Sequence, residues 1–176
     1  MVIYKPAEDS YLLQFILKKY VKNKSVLDMG SGLGILVESA LKNGAKSILA
    51  ADINSESIKI LKSKNISAIK SNLFSQIKSK FDIIIFNPPY LPEDKREDKE
   101  SQVATTGGKK GDEIILKFLK QAKNHLNKNG KILLLLSSLT PKKRIIILLK
   151  KLNFNYKIIA KQNFFFEQLE VWVISK

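Results

Sequence analysis

The stretch Ser25-Val26-Leu27-Asp28-Met29-Gly30-Ser31-Gly32-Leu33-Gly34 decides the fold. Its first half has the length and apolar character of a short strand, and glycines at alternate positions follow at once. Glycine lets the backbone turn sharply and pass close to a ligand. A helical pattern then runs from Ile35 to about Leu41, with Gly44 placed as a C-terminal cap. The stretch therefore predicts a strand, a ligand-binding loop and a helix.

Elements on either side continue this alternation. Strands are predicted at 47–52, 67–70, 81–86 and 132–137, helices within 6–20, around 58–61, at 114–126 and after an N-cap at Thr140, and a terminal hairpin at 156–160 and 169–174. Such an order predicts an α/β, Rossmann-like fold: a mostly parallel seven-stranded sheet ending in an antiparallel hairpin. We expect a single domain over residues 1–176. The polar residues 92–111 are predicted to form a loop, and its charged part, 93–100, is either solvated or a lid.

Composition excludes several classes of protein. Hydrophobic residues make up 44% of the chain, too many for a disordered protein. No apolar run approaches the roughly 18 residues of a membrane helix, and the first residues lack a signal-peptide layout. With no cysteine and one histidine, His125, we predict no metal site. The expected location is the cytoplasm, with no membrane partner.

The net charge permits two interpretations. Thirty-one basic residues against sixteen acidic ones leave a formal charge of +15. An excess of this size favours proximity to RNA or the ribosome through phosphate contacts. Lysine, isoleucine and asparagine are abundant together, however, and this combination also fits nucleotide bias in the coding sequence.

Polar residues at the strand ends predict a cofactor site. The glycines of the loop, Gly30, Gly32 and Gly34, are followed by Asp52 at the end of the next strand, where a carboxylate can accept both ribose hydroxyls. Asp28 would repel a pyrophosphate but would favour a sulfonium with its ammonium group, so S-adenosylmethionine is the predicted cofactor. Asn72-Leu73, after the third strand, is placed either to contact adenine or as an ordinary turn.

The fourth strand runs into Asn87-Pro88-Pro89-Tyr90. The Asn87 side-chain oxygen and the Pro88 carbonyl can accept both N–H bonds of one NH2 group, and Tyr90 offers a flat face for a planar group. Pro89 restricts the backbone and removes a donor. A planar NH2 group is a poor nucleophile because its lone pair is delocalised, so orientation and hydrogen bonding must supply the catalysis. These residues predict N-methylation of a planar NH2 group.

The chain resembles a known family. Tyr4-Lys5-Pro6-Ala7-Glu8-Asp9-Ser10 is similar to the start of the compact eukaryotic and archaeal branch of HemK-like methyltransferases, and the similarity continues through residues 28–34, 52–54, 86–90 and 107–111. These enzymes modify the glutamine of the Gly-Gly-Gln motif in class I peptide release factors. Where the family usually has aspartate, this chain has Asn72.

The resemblance implies residues, partners and a substrate. It implies cofactor contacts from Ser10, Asp28, Gly30, Asp52, Asn72, Leu73 and Asn87. It also implies a small zinc-binding activator protein that forms a heterodimer with the enzyme, and a release factor as substrate. Adenine or guanine amino methylation and lysine methylation remain alternatives, and a non-catalytic scaffold is a third. The Phe164-Phe165-Phe166 run is either core or a partner contact.

Overall fold

The computed structural model describes residues 3–4, 6–93, 102 and 105–176. The strands are β1 Ser25–Met29, β2 Ser47–Asp52, β3 Ala68–Lys70, β4 Phe81–Phe86, β5 Leu126–Ser137, β6 Asn155–Asn163 and β7 Gln168–Ser175. The helices are α1 Glu8–Leu17, α2 Ile35–Lys42, α3 Ser55–Ser63, α4 Glu113–Ala122 and α5 Lys142–Lys151, and a 3-10 turn spans Lys123–His125. Most of the charged segment predicted as a loop or lid at 93–100 lies outside the described residues.

The strands form one sheet in the order β3-β2-β1-β4-β5-β7-β6. The first five are mutually parallel, and β7 runs antiparallel to both β5 and β6. The predicted Rossmann-like fold with its terminal antiparallel hairpin is therefore confirmed. Strand order reverses between β1 and β4, and ligands of such sheets bind at this point, outside the carboxyl ends of the strands.

The core lies on both faces of the sheet. Because successive side chains of a strand point to opposite faces, β4 sends Ile84 to a cluster with α4 and α5, and sends Ile83 and Ile85 to a cluster with α1 and α2. Both faces of the central parallel strands are thus covered by helices, and this explains their nearly continuous apolar sequences. Among the described residues no helix is both long and apolar enough to cross a membrane.

Two local predictions differ from the structure. The helix predicted to reach residue 126 ends at Ala122, and Leu126 instead begins β5, where it pairs with Phe81 before a register shift. Thr140 is not the N-cap of α5: the cap position is Pro141, and the Thr140 hydroxyl donates to the Tyr90 carbonyl at 3.4 Å. In both cases the residue contacts a segment that is distant in sequence instead of making the local helical contact that was predicted. The Gly44 cap is confirmed by its left-handed φ of 79°.

Candidate active site

A cavity of about 600 Å³ opens at the carboxyl ends of β1, β2 and β4. It brings together most of the residues that the sequence marked as functional. Those that line it are Ser10, Gly30, Gly32, Asp52, Asn72, Leu73, Asn87, Pro88, Pro89 and Tyr90. The α1 N-terminus, the glycine loop and the Asn-Pro-Pro-Tyr motif therefore share one site.

Asp52 holds the glycine loop against β2. One carboxylate oxygen accepts a hydrogen bond from the Gly32 amide and the other from the Asn54 amide, both at 2.8 Å. Gly30 and Gly32 have left-handed φ values of 70° and 51°, which glycine adopts without steric cost. The carboxylate is thus fixed on the cavity wall, with lone pairs left to accept a ligand's hydroxyl groups.

Asp28 lies behind the cavity lining. The sequence placed it among the cofactor contacts, but along β1 the alternation of side chains gives Met29 to the cavity and buries Asp28. Neither of its carboxylate oxygens has a hydrogen-bond partner among the described residues, because the nearby Ser31 hydroxyl donates to the Asp28 backbone carbonyl. Burial raises the pKa of this carboxyl to about 7, and the charge of Asp52 adds to the rise.

Gly34 is also outside the cavity lining. It is the N-cap of α2, with a φ of 90°, and a Cβ at this position would lie 2.6 Å from the Leu61 side chain. The position therefore requires glycine for packing between α2 and α3 rather than for close approach to a ligand.

The turn after β3 forms another wall of the cavity. Ser71 organises it: its amide donates to the Asp52 carbonyl at 2.8 Å and its hydroxyl to the Leu73 carbonyl at 2.6 Å. Leu73 has a left-handed φ of 50°, which is strained for a residue with a Cβ. Asn72 is exposed and lines the cavity. Its backbone amide, not its side chain, donates to the Ser75 hydroxyl.

A hydrogen-bonded chain orients the Asn87 amide. Its Nδ2 donates to the Ser10 hydroxyl at 3.5 Å, and that hydroxyl donates to Asp9 Oδ1 at 3.1 Å. The Tyr4 hydroxyl donates to the other Asp9 oxygen at 2.9 Å. Asn87 Oδ1 is buried and has no hydrogen-bond partner among the described residues. An acceptor without a partner is costly inside a protein, so this oxygen is available to bind an N–H group.

Tyr4 and Tyr90, which lie near these hydrogen bonds, remain protonated at neutral pH. Burial, together with the charges of Asp9 and Glu167, raises the pKa of Tyr90 well above its ordinary value. Burial and Asp9 do the same for the pKa of Tyr4. The charge of Glu167, which follows the Phe164-Phe165-Phe166 run, adds to the rise in the pKa of Tyr90. Both phenols can therefore donate hydrogen bonds at neutral pH, but neither acts as a base.

A second glycine loop, residues 107–111, packs against the Asn-Pro-Pro-Tyr motif. The Gly107 amide donates to the Leu91 carbonyl at 2.9 Å, and a Cβ on Gly107 would lie 2.7 Å from the Pro89 carbonyl. A Cβ on Gly111 would lie 2.5 Å from the Tyr90 carbonyl. The loop thus packs backbone against backbone on the motif, at distances that only glycine permits.

The family assignment follows from residues 8–166, which match the model of the methyltransferase small domain. The chain belongs to this family. The matched range contains both glycine loops, the Asn-Pro-Pro-Tyr motif and all of the sheet except its last strand. The enzyme class predicted from the sequence is thereby confirmed: the chain is a methyltransferase.

Relatives within the family sharpen the comparison. The chain is 44% identical to a Methanocaldococcus jannaschii protein assigned as a protein N5-glutamine methyltransferase, over 96% of this chain and 89% of the relative. It is 36% identical to the release factor glutamine methyltransferase of Borreliella burgdorferi, over 63% of this chain. The aligned region is only 44% of that longer protein. The predicted resemblance to glutamine methyltransferases is confirmed.

The fold also matches a solved structure. One chain of the E. cuniculi complex responsible for methylation of the eRF1 translation termination factor superposes with a TM-score of 0.82. The match covers 100% of this chain and 99% of the other, at 24% sequence identity. This likeness supports the Rossmann-like methyltransferase fold over the whole sheet.

Several residues of this methyltransferase site escaped sequence reasoning. Asp9 stands next to Ser10 in the segment that carried the resemblance, so its type and position could have marked it. Ser71 precedes the predicted Asn72-Leu73 pair and could have been proposed as its support. Glu167 gave no local signal, because its place beside Tyr90 depends on how the terminal hairpin pairs with β5.

Proposed function

We propose that this chain transfers a methyl group from S-adenosylmethionine to the side-chain amide nitrogen of a protein glutamine, and that the Gly-Gly-Gln glutamine of a class I release factor is its substrate. The observation that carries the proposal is the Asn87 side chain. The side chain lines the cavity, its nitrogen donates to the Ser10 hydroxyl, and its oxygen is buried with no hydrogen-bond partner among the described residues. An acceptor fixed in this way favours an NH2 group as ligand.

The cavity residues fit such a cofactor. Asp52 offers a carboxylate that backbone amides hold in place. Gly30 and Gly32, in the left-handed conformation, bring the backbone of the loop to the cavity. We assign cofactor contacts to Gly30, Gly32, Asp52, Asn72, Leu73 and Asn87, and supporting roles to Asp28 and Gly34. The cofactor supplies an electrophilic methyl group on a sulfonium. The resemblance implied that Ser10 is a cofactor contact. We assign it instead the role of orienting the Asn87 amide.

The remaining chemistry belongs to the motif. Asn87 Oδ1 and the Pro88 carbonyl would accept the two N–H bonds of one amide and so fix the direction of its nitrogen. Tyr90 would pack against the amide plane. Hydrogen bonds that strengthen as positive charge develops on the nitrogen lower the barrier, so a general base is not required before attack. The nitrogen would form its bond to the methyl carbon as the sulfonium–carbon bond breaks, and one of its two N–H protons would then be released to solvent.

Two partners follow from the relatives. A release factor is the substrate named for the Borreliella enzyme, and the E. cuniculi match is a subunit of a complex. We propose the same substrate class here and a small zinc-binding activator as a second subunit. Co-expression with such an activator should raise solubility and turnover. A chain that is monomeric, soluble and fully active alone would contradict the second subunit. Proximity to RNA or the ribosome stays a prediction from the net charge.

The decisive experiment is a methyl-transfer assay with labelled cofactor. Wild-type enzyme should label an intact release factor on the glutamine of its Gly-Gly-Gln motif, and mass spectrometry should find one methyl group on the amide. The matched substrate control replaces that glutamine with alanine. Label that persists on the control would reject the assignment.

The same assay separates the rival acceptors. A lysine acceptor must lose a proton first, so its methylation rate should climb steeply with pH, whereas that of an amide should not. A nucleobase acceptor would be indicated if RNA or DNA took the label and the rate fell steeply with salt.

A further inference from the structure

The tip of the hairpin between β6 and β7 exposes two aromatic side chains. Phe165 and Phe166 are 92% and 85% exposed, more than any other large apolar side chain among the described residues. Their rings pack edge to face, with centroids 4.5 Å apart. Exposed apolar side chains that are adjacent in space often mark a contact with another molecule.

The tip is held in a defined position. The Phe164 amide donates to the Glu167 carbonyl at 2.7 Å, which closes the turn, and the Phe164 side chain packs against the core cluster that includes α1. Tyr90 packs against the same cluster, and the charge of Glu167 raises the pKa of both Tyr90 and Tyr4. The two exposed rings are therefore anchored beside the motif that binds the methyl acceptor.

The charges around the tip favour a polypeptide over a nucleic acid. Asp9 lines the cavity, and the charges of Asp9 and Glu167 act on both Tyr4 and Tyr90, so the surroundings of these tyrosines are acidic although the chain as a whole is strongly basic. Carboxylates repel phosphates. One oxygen of Glu167 is buried with no hydrogen-bond partner among the described residues.

We propose that Phe165 and Phe166 anchor the protein substrate by contacting the polypeptide that flanks its acceptor glutamine. This inference rests on the proposed function. The rings would bury apolar surface of the substrate beside the motif, while Asn87 holds the acceptor. The contact would set affinity for the intact protein without taking part in methyl transfer.

The test compares wild type with the double variant Phe165→Ala/Phe166→Ala, using intact release factor as substrate. Both side chains are exposed, so the melting temperature should not change. The KM for the release factor should rise about tenfold or more, with kcat and cofactor affinity within about twofold of wild type. Ile147→Ala is the matched control, because Ile147 is 57% exposed on α5, which packs on the other face of the sheet.

A second variant separates apolar contact from base stacking. Phe165→Leu/Phe166→Leu keeps apolar side chains but no rings, and its KM should stay within about threefold of wild type. An unchanged KM in the alanine variant overturns the inference while leaving the proposed function intact. Lost RNA binding with an unchanged protein KM overturns it in favour of a nucleic-acid contact. If wild type leaves the release factor unlabelled, the proposed function fails, and this inference fails with it.

Discussion

Replacing Asp28 by asparagine should stabilise the ligand-free protein at high pH and lose that advantage at low pH. The carboxyl is buried without a hydrogen-bond partner among the described residues, and its pKa is raised from 3.8 to about 7. Between these two values the folded protein holds a proton that the unfolded chain has released. Stability of the wild type therefore falls as pH rises from about 4 to 7 and then levels off.

The size of the effect follows from the pKa difference. A shift of about three pKa units corresponds to about 4 kcal/mol, as an upper value, at pH 8. Asparagine keeps the shape but buries amide donors, which costs roughly 1–3 kcal/mol at every pH. The free-energy difference between variant and wild type should thus move by about 3 kcal/mol in favour of the variant between pH 4.5 and 8.5, because about 1 kcal/mol of the full effect is already lost at pH 4.5. At roughly 2–4 °C per kcal/mol, this is a relative shift in Tm of about 10 °C.

Urea denaturation and thermal melts of the cofactor-free protein across this pH range measure the difference. Asp82→Asn is the control of opposite sign, because hydrogen bonds from Asn127 and Ser25 hold the pKa of Asp82 below its usual value. That variant should be destabilised by an amount that hardly changes above pH 4.5. A free-energy difference between Asp28→Asn and wild type that stays constant from pH 4.5 to 8.5 would refute the reasoning.

The other predictions concern the motif and its supports. Asn87→Ala should lower kcat about 100- to 1000-fold while cofactor affinity, measured by calorimetry, changes little. Full activity would contradict the proposal that Asn87 accepts a hydrogen bond from the acceptor amide. Ser10→Ala should free the same amide to rotate and lower kcat roughly tenfold without lowering Tm, and an unchanged kcat would count against the orienting role. Gly107→Ala should push back the Pro89 carbonyl, costing roughly 1–3 kcal/mol of stability and most of the activity; unaltered melting and turnover would disprove the close packing. Glu170→Gln should cost roughly 1–3 kcal/mol near pH 7 and less at pH 3, since the lowered pKa contributes stability that is lost on acidification; equal losses at both pH values would exclude this ion pair as the cause.

The environment of Glu170 explains the last of these predictions. Burial alone would raise the pKa of this carboxyl, but hydrogen bonds from Lys142, Trp172 and Lys161 hold it below its usual value. The lysines come from α5 and β6, so one carboxylate of β7 joins three elements.

Strands with a clear polar or glycine boundary were predicted to the residue. The strands β1, β2 and β4 each end at the residue expected, because an apolar run meets a residue that turns the chain. The start of β5 was missed, since Leu126 fits the spacing of the preceding helix and joins the sheet only by pairing with Phe81. Periodicity cannot reveal such pairing, because the partner is distant in sequence.

The site was predicted as far as motifs define it. The glycine loop, Asp52 and residues 87–90 meet at one cavity, as the topology requires of strand ends. Asp28 belongs to the same motif, but a strand points alternate residues to opposite faces, and the phase of β1 turns it inward. Glu167 could not be found from sequence because its neighbour Tyr90 is brought to it by the antiparallel register of β7.

The position of β7 inside the sheet links local opening to catalysis. Among the described strands, β6 is paired with β7 alone, so detaching β7 from β5 would release both strands together as one cooperative unit. Amide hydrogens of the two strands should then exchange with solvent at a common rate. Since Phe164 in the turn between them packs against the same core cluster as Tyr90, each such excursion would also loosen the surroundings of Tyr90. Deuterium uptake at β6 would therefore report how often the support of this motif residue opens.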